Sequence, residues 1–296
     1  MEVEPLFSVV IPTCNRAALL PGAVDSVLAQ RWRHWELIIV DDGSTDTTPE
    51  VGAAYAARDA RIRYLRQPNR QLNGARLAGI AVARGQWLCF LDDDDEWLPE
   101  HLAALAAAAA TAYGPALLKT RMWIRYPGQL QPAAGYDPGL HPAAAMWANL
   151  PNLLSFAFHR RIFDEITFDE RFLLFDDGHF LLRVLPRYPL VYVDADTVVY
   201  RVHEGSRSYQ YWQPCRLQNH LAAIDDAFGQ AGPELLQHTG TGAQRALKAK
   251  ACYHFARAAA LGGAPGLGWR YLRQALGYGF RPRAAAQTAL ALLRRW

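Results

Sequence analysis

The sequence predicts an α/β protein built on a mostly parallel sheet that helices flank. Apolar, β-branched segments alternate with helical segments four times in the first part of the 296-residue chain, and this alternation is typical of parallel sheets. Polar residues follow the first, second and fourth predicted strands, at 13–15, 41–42 and 92–95. A composition of 51% hydrophobic and 20% charged residues indicates a globular core and excludes disordered classes.

The first strand is predicted over 6–11 because LFSVVI is a short apolar run that Pro12 closes. Asn15 then stands as the N-cap of a helix whose apolar residues recur at helical spacing over 17–30. The same reasoning predicts, in order, a strand over 35–40, a helix over 48–58, a strand over 61–66, a helix over 74–84 and a strand over 87–91.

The regular alternation fades beyond an alanine-rich helix whose first turn contains Pro99. Here the pattern predicts, in order, a strand over 117–126, a loop over 127–142, an apolar stretch over 153–158, a helix over 180–185 and short strands over 191–193 and 197–202. After residue 206 the spacing is helical, over 212–228, 243–261, 265–276 and 282–296. We therefore expect one domain over 1–205 and a helical C-terminal region over 206–296.

The net charge of +3 conceals an uneven distribution. Residues 206–296 carry 12 Lys and Arg against 3 Asp and Glu, so this region is basic and suits an anionic surface such as a membrane leaflet. The N-terminus, MEVEPLF, lacks the features of a signal peptide. The four cysteines form no CxxC pair, which favours a reduced cytoplasmic protein without a structural zinc site.

The first candidate site is the acidic run from Asp92 to Asp95, which follows an apolar strand. Adjacent carboxylates repel one another, and a divalent cation such as Mg²⁺ or Mn²⁺ is the natural counter-charge because it prefers oxygen ligands. The alternative is a solvated turn in which one aspartate caps the following helix. The run alone does not decide between them.

The second candidate is Asp41-Asp42-Gly43-Ser44 after another strand. Two carboxylates at that position can accept hydrogen bonds from ribose hydroxyls or a base N–H, whereas the alternative is an Asx turn that caps the next helix. The chain contains neither GxGxxG nor GxxxxGK[ST], which argues against NAD enzymes and P-loop NTPases. A metal is then the expected holder of any phosphates.

These segments together carry a family resemblance. The matching text is FSVVIPTCNRAALLPGAVDSVLAQ, WELIIVDDGSTDTT, NGARLAGIAVARGQWLCFLDDDDEWLP, FDERFLLFDDGHFLLR and VVYRVHEGSRS, in the family's order. The chain resembles an inverting, family 2 nucleotide-sugar glycosyltransferase with the GT-A fold. The resemblance implies a donor half over about 1–115 and an acceptor half over about 116–205, followed by the helical extension.

The resemblance also implies roles for particular residues. The expected catalytic base is Asp177, with Asp176 as the other member of the acidic pair. Asp94 is the expected metal ligand, together with Asp92 and His203. The expected donor contacts are Pro12, Thr13, Asn15, Asp41, Asp42, Asn73, Arg76, Asp92, Asp93 and His203. Leu77 stands where the family often has an amide, and the acidic pair is Asp-Asp where Glu-Asp is usual.

The implied reaction is a metal-dependent transfer of a sugar from a nucleoside diphosphate, most readily a UDP-sugar, to an acceptor hydroxyl with inversion. The implied setting is bacterial cell-surface polysaccharide or glycolipid synthesis, with a glycan or lipid-linked glycan as acceptor. Further expected partners are an anionic membrane at its cytoplasmic face and a second copy of the chain, but not nucleic acid. The alternative is a non-catalytic, nucleotide-sugar- or glycan-binding scaffold of a polysaccharide assembly complex.

Overall fold

The computed structural model describes residues 5–133, 142, 152–172, 174–203 and 214–279, and it confirms the α/β class. The strands are β1 (Phe7–Thr13), β2 (Trp35–Asp41), β3 (Ile62–Arg66), β4 (Trp87–Phe90), β5 (Glu96–Trp97), β6 (Leu117–Tyr126), β7 (Gln129–Pro132), β8 (Phe156–His159) and β9 (Leu190–Arg201). The helices are α1 (Leu20–Leu28), α2 (Thr48–Arg58), α3 (Gln71–Val82), α4 (His101–Ala109), α5 (Asp176–Val184), α6 (Pro214–Thr239), α7 (Ala243–Leu261) and α8 (Pro265–Gly277).

The N-terminal half of the sheet is parallel, in the order β3-β2-β1-β4. Thr13 lies beside Asp41 in the β1–β2 register, so these two strands end at the same level. Both strands are buried along their whole length because helices cover the sheet. The carboxyl ends of β1, β2 and β4 therefore bring the three predicted polar segments to one edge, as expected for an open α/β sheet.

The other half of the sheet continues in the order β8-β6-β9-β5, with β7 paired to β6. Here β8 is antiparallel to both β4 and β6, and β5 is antiparallel to β9. The two short strands predicted over 191–193 and 197–202 are one strand, β9, whose pairing with β6 shifts register around Arg121. That irregularity accounts for the break in the sequence pattern, and the two-residue β5 was not predicted.

The core lies under the parallel strands and includes Phe7, Val9, Trp35 and Leu37. Helix α3 packs closely on β1, because a Cβ added at Gly79 would lie 2.4 Å from Cγ1 of Val10. From the sequence, the aromatic residues Trp123, Trp147, Phe156 and Phe158 are either core residues or a surface that stacks on a sugar. Phe156 and Phe158 are core residues with 1% and 0% exposure. Trp123 is half-buried, and Trp147 lies outside the described residues.

The chain divides into two compact units. The first contains the sheet with helices α1–α4, and the second contains α5 to α8. Within the second unit, α6 is interrupted at Gly232, whose backbone is not helical, so its first part ends within a few residues of the predicted helix over 212–228. The predicted helix over 282–296 lies outside the described residues. Within the described ranges, we find no helix with both the length and the apolar character that crossing a bilayer requires.

Candidate active site

The acidic run forms a tight loop between β4 and β5. The backbone N–H of Asp95 donates to the carbonyl oxygen of Asp92 at 3.1 Å. Asp92, Asp94 and Asp95 each offer a carboxylate oxygen, and these atoms lie within 4.8 Å of one another. Asp95 is fully buried, and its Oδ2 has no hydrogen-bond partner among the described residues. An all-oxygen cluster with a buried, unpaired acceptor fits a divalent cation.

Burial makes negative charge costly at this loop. It raises the pKa of Asp95 well above its usual value, and the neighbouring carboxylates of Asp92 and Asp94 raise it further. Burial also raises the pKa of Asp93 to about 7, although a 2.7 Å hydrogen bond from the hydroxyl of Thr13 opposes the shift. A bound cation would reverse this cost, because an adjacent positive charge favours ionised carboxylates.

Two arginines lie beside the loop. Nη2 of Arg76 is 3.7 Å from Oδ1 of Asp92, and the guanidinium is almost fully buried over the ring of Phe168, with its carbon 5.1 Å from the ring centroid. Nη1 of Arg16 is 3.8 Å from Oδ2 of Asp94. Arg76 was among the predicted donor contacts, and it does lie next to Asp92. Arg16 was not predicted, although its position directly after PTCN was the available signal.

Asp41 is fully buried and satisfied by protein groups. Its Oδ1 accepts the backbone N–H of Ser44 at 2.8 Å, and its Oδ2 accepts the hydroxyl of Tyr64 at 2.6 Å. The bond to Ser44 closes a turn, as the Asx-turn alternative expected. Among the described residues, Asp41 makes no hydrogen bond to the first turn of α2, however; there Oδ1 of Asp46 accepts the N–H of Thr48 at 2.9 Å.

Asp42 links the ends of β1, β2 and α3. Its backbone N–H donates to the carbonyl of Thr13 at 2.9 Å. Its Oδ1 accepts the side-chain amide of Gln67 at 2.7 Å and the N–H of Arg70 at 2.8 Å. The carboxylate therefore fixes the entrance to α3 next to the predicted nucleotide contacts at the end of β1.

The predicted donor contacts Asn15 and Asn73 hold backbone segments in this structure. Oδ1 of Asn15 accepts the N–H of Thr45 at 2.7 Å and that of Asp46 at 3.2 Å. Asn15 as a helix N-cap is therefore wrong: α1 starts at Leu20 without a side-chain cap, because the Asn15 amide is used by the β2–α2 loop. Asn73, 3% exposed, donates to the carbonyl of Asp169 at 2.9 Å.

Non-glycine residues with positive φ stand close in sequence to predicted site residues in each unit. Among the described residues they are Asn15 (φ 56°), Gln71 (φ 63°) and Phe175 (φ 62°). Asn15 follows β1, and Gln71 opens α3 next to the Asp42 contact. Phe175 directly precedes the acidic pair. Left-handed backbone is unfavourable for residues with a Cβ and concentrates at functional sites, so its position here agrees with the predicted site.

The acidic pair opens α5 in the second unit. Asp176 is buried and Asp177 is half-buried, and both lie in the first helical turn, where the helix dipole favours negative charge. Two residues on, Nε2 of His179 lies 2.8 Å from Oδ2 of Asp226 on α6. His179 thus anchors α5 to α6. His203 also belongs to the second unit and is half-buried.

The topology and the acidic edge define the class of protein: the fold is the GT-A fold of glycosyltransferases. At the level of fold, the chain is similar to TarS of S. aureus, crystallised with UDP-GlcNAc (TM-score 0.68, 15% identity, 98% of this chain and 88% of that one). It is also similar to the mannosyltransferase PcManGT of Pyrobaculum calidifontis, in complex with GDP-Man and Mn²⁺ (TM-score 0.59, 18% identity, 99% and 86%).

The sequence comparison points to the same class. Residues 8–129, which are less than half of the chain, match the family model described as glycosyl transferase family 2. The segment resembles the putative colanic acid biosynthesis glycosyl transferase WcaA of Escherichia coli, with 39% identity over 108 residues. That match covers 36% of this chain and 39% of WcaA. The resemblance predicted from the motifs is thereby confirmed.

Proposed function

We propose that the protein is a metal-dependent, inverting glycosyltransferase that moves a sugar from a nucleoside-diphosphate sugar to an acceptor hydroxyl. The observation that carries the proposal is the cluster of Asp92, Asp94 and Asp95, with its buried unpaired oxygen. Two arginines flank the cluster at the carboxyl edge of the sheet. The family match, and the GDP-Man and Mn²⁺ in the complex of the similar PcManGT, support it.

In this proposal the acidic loop holds Mn²⁺ or Mg²⁺ through Asp92, Asp94 and Asp95, and His203 remains a predicted further ligand. The cation, when bound, supplies positive charge to the leaving diphosphate. Arg76 orients Asp92 from its buried position over Phe168. Arg16 is half-buried beside Asp94 and contributes further positive charge where the leaving group becomes more negative.

Asp177 is proposed as the base that takes the proton from the attacking acceptor hydroxyl, and a positioned base typically contributes about 10²–10⁴-fold. Its half-buried position at the first turn of α5 suits this role, since the helix N-terminus favours the ionised carboxylate. Asp176 is more buried than Asp177 and is the alternative base. Direct attack opposite the leaving group inverts the anomeric carbon without an enzyme-bound sugar.

The donor is proposed to lie along the ends of β1 and β2, where Pro12, Thr13 and Asp42 meet. A UDP-sugar is the first candidate donor, and the similar TarS was crystallised with UDP-GlcNAc. The acceptor is proposed to be a glycan or lipid-linked glycan in bacterial surface polysaccharide synthesis, because the similar WcaA is described as a putative colanic acid biosynthesis glycosyl transferase. The basic region over 206–296 is proposed to contact an anionic leaflet.

The test is a screen of UDP-, GDP- and dTDP-sugars for release of the nucleoside diphosphate by the purified protein. We expect release with Mn²⁺ or Mg²⁺, none after EDTA treatment, and loss of most donor binding in Asp94→Ala. Full turnover in metal-free buffer would contradict metal dependence. Specific donor binding without any release or transfer, across the full donor set, would favour the scaffold alternative.

The base assignment has its own pair of variants. Asp177→Asn should leave donor binding nearly unchanged and lower turnover by orders of magnitude, because it removes the proton acceptor while the acidic loop stays intact. Asp176→Asn is the matched control in the same helical turn. The reverse result, with Asp176→Asn inactive and Asp177→Asn mildly affected, would move the base to Asp176.

The membrane proposal is tested by sedimentation with liposomes. The full chain should pellet with anionic but not with neutral vesicles at low salt, and a version ending near Arg281 should pellet less. Residues 280–296 lie outside the described part of the chain, so this proposal rests on their sequence alone. Equal and negligible pelleting of both versions would leave no membrane role for this end of the chain.

A further inference from the structure

We propose that Arg201, at the end of β9, is a positioning residue that sets the acidic loop for metal binding. The inference rests on the proposed function, since it concerns the cation that the loop would hold. Arg201 belongs to the VVYRVHEGSRS motif, and no role was assigned to it from the sequence. Its contacts reach three consecutive residues of the loop and the strand that follows it.

Three hydrogen bonds connect Arg201 to the loop. Its Nε donates to the backbone carbonyl of Asp94 at 2.5 Å, and its own backbone N–H donates to Oδ1 of Asp95 at 2.6 Å. Its Nη1 donates to Oε1 of Glu96 at 2.8 Å. None of these bonds uses the Asp94 carboxylate or Oδ2 of Asp95. Arg201 therefore fixes the backbone of the loop and leaves those candidate ligand oxygens to a cation.

The surrounding elements hold Arg201 itself in place. In the register of β6 and β9 it lies opposite Arg125, and the N–H of the next residue, Val202, donates to the Arg125 carbonyl at 2.9 Å. Helix α1 leaves room for the guanidinium, since a Cβ added at Gly22 would lie 3.3 Å from Nη2 of Arg201. A planar guanidinium with several fixed donors can bridge a carbonyl and a carboxylate together, which an ammonium group cannot do as well.

Loss of the guanidinium should loosen the loop without removing any candidate ligand. The Asp94 carbonyl and the Glu96 carboxylate would each lose a donor, while Asp95 would keep the backbone N–H of residue 201. Residues that orient metal ligands from outside the coordination shell typically change metal affinity by about 10–100-fold when mutated. We therefore expect the Mn²⁺ dissociation constant of Arg201→Met to rise about tenfold or more.

Arg125 provides the matched control. It lies opposite Arg201 on the neighbouring strand and its Nη1 contacts the same glutamate, at 3.4 Å from Oε2 of Glu96. Within the part of the chain that the structure describes, its side chain contacts Glu96 and makes no hydrogen bond to Asp94 or Asp95. Arg125→Met removes the same charge from the same glutamate, so it separates loop positioning from general electrostatics.

The experiment titrates Mn²⁺ into the full-length protein and measures free Mn²⁺ by electron paramagnetic resonance. Wild type and Arg125→Met should bind within about threefold of each other, and Arg201→Met should bind at least tenfold more weakly. Arg201→Lys keeps the charge and should lie between wild type and Arg201→Met. Where Arg201→Met does not fold, Arg201→Lys against Arg125→Met decides. Equal Mn²⁺ affinity in the Arg201 and Arg125 variants would overturn the proposal.

Hydrogen exchange without metal separates this inference from the proposed function. The backbone amides of residues 92–96 should exchange faster in Arg201→Met than in Arg125→Met, whatever the ligand. Unchanged exchange in this segment would refute the positioning role even if the enzyme is metal-dependent. Faster exchange in a protein that binds no Mn²⁺ would support loop positioning and contradict the metal in the proposed function.

Discussion

The hydroxyl of Tyr64 offers a direct test of how Asp41 is held. Asp41 is fully buried, and the tyrosine hydroxyl donates to its Oδ2 at 2.6 Å. The guanidinium of Arg66 lies 3.8 Å from the same oxygen, and its side chain is 55% exposed. Tyr64→Phe removes a single oxygen and leaves a buried carboxylate with one close donor, the N–H of Ser44.

A hydrogen bond to a buried charged group contributes roughly 1.5–3 kcal/mol net. At an unfolding entropy of about 2.1 cal/mol/K per residue, a loss of about 2 kcal/mol corresponds to a fall in Tm of about 3 °C for a chain of 296 residues. Tyr55→Phe is the matched control, because its hydroxyl donates to Oδ1 of Asp25 at 2.8 Å. Asp25 is exposed, so water replaces the lost donor and the cost should stay below about 1 kcal/mol.

Differential scanning calorimetry of wild type and the two variants at neutral pH measures the difference. We expect Tyr64→Phe to lower Tm by about 2 °C more than Tyr55→Phe, and to weaken binding of the donor nucleotide as well, because Asp41 lies at the end of β2. Equal shifts in Tm for the two variants would show that the Asp41 carboxylate does not depend on Tyr64. The burial argument would then be refuted.

Two glycine substitutions and one histidine substitution are expected to alter stability. Gly79→Ala should destabilise by about 1–3 kcal/mol through overpacking against Val10, whereas Gly229→Ala, in open space on α6, should stabilise by up to about 1 kcal/mol; chemical denaturation checks the opposite signs. Burial lowers the pKa of His101 to about 3. As the pH falls below about 6.5, this histidine therefore becomes protonated in the unfolded chain while it stays neutral in the folded protein. Stability should therefore decline by about 1.4 kcal/mol per pH unit between pH 6.5 and 3 from this group, and Tm profiles of His101→Gln should show a shallower decline.

The parallel half of the fold could be predicted because each of its strands and helices has its own pattern of apolar residues in the sequence. Helix α2 lies at the predicted residues, and β1 and β2 end two residues and one residue beyond the predicted strand ends. The other half depends on contacts that no local pattern encodes. The two-residue β5 exists because β9 pairs with it, 100 residues further along the chain.

The candidate site was likewise predicted in part, where its residues form a local sequence motif. The acidic run and Arg76 were predicted, and the structure places them side by side. Arg16 and Arg201 were not, since a single arginine after a strand carries no distinctive pattern and only the fold brings each to the loop. Asn15 was assigned as a helix cap because asparagine commonly precedes helices, whereas its amide bonds the β2–α2 loop across 30 residues of sequence.

The position of β9 in the sheet has a consequence for how the protein is made. The segment that matches the family model ends at residue 129, before β8 and β9 have been synthesised. Until residue 159 leaves the ribosome, β4 and β6 lack their shared neighbour β8, and until residue 201 leaves it, the acidic loop lacks every bond from Arg201. Unpaired strand edges favour association with other chains. Recombinant fragments that stop at residue 129 should therefore aggregate, whereas those that continue through residue 202 contain every strand of the sheet and can pair them.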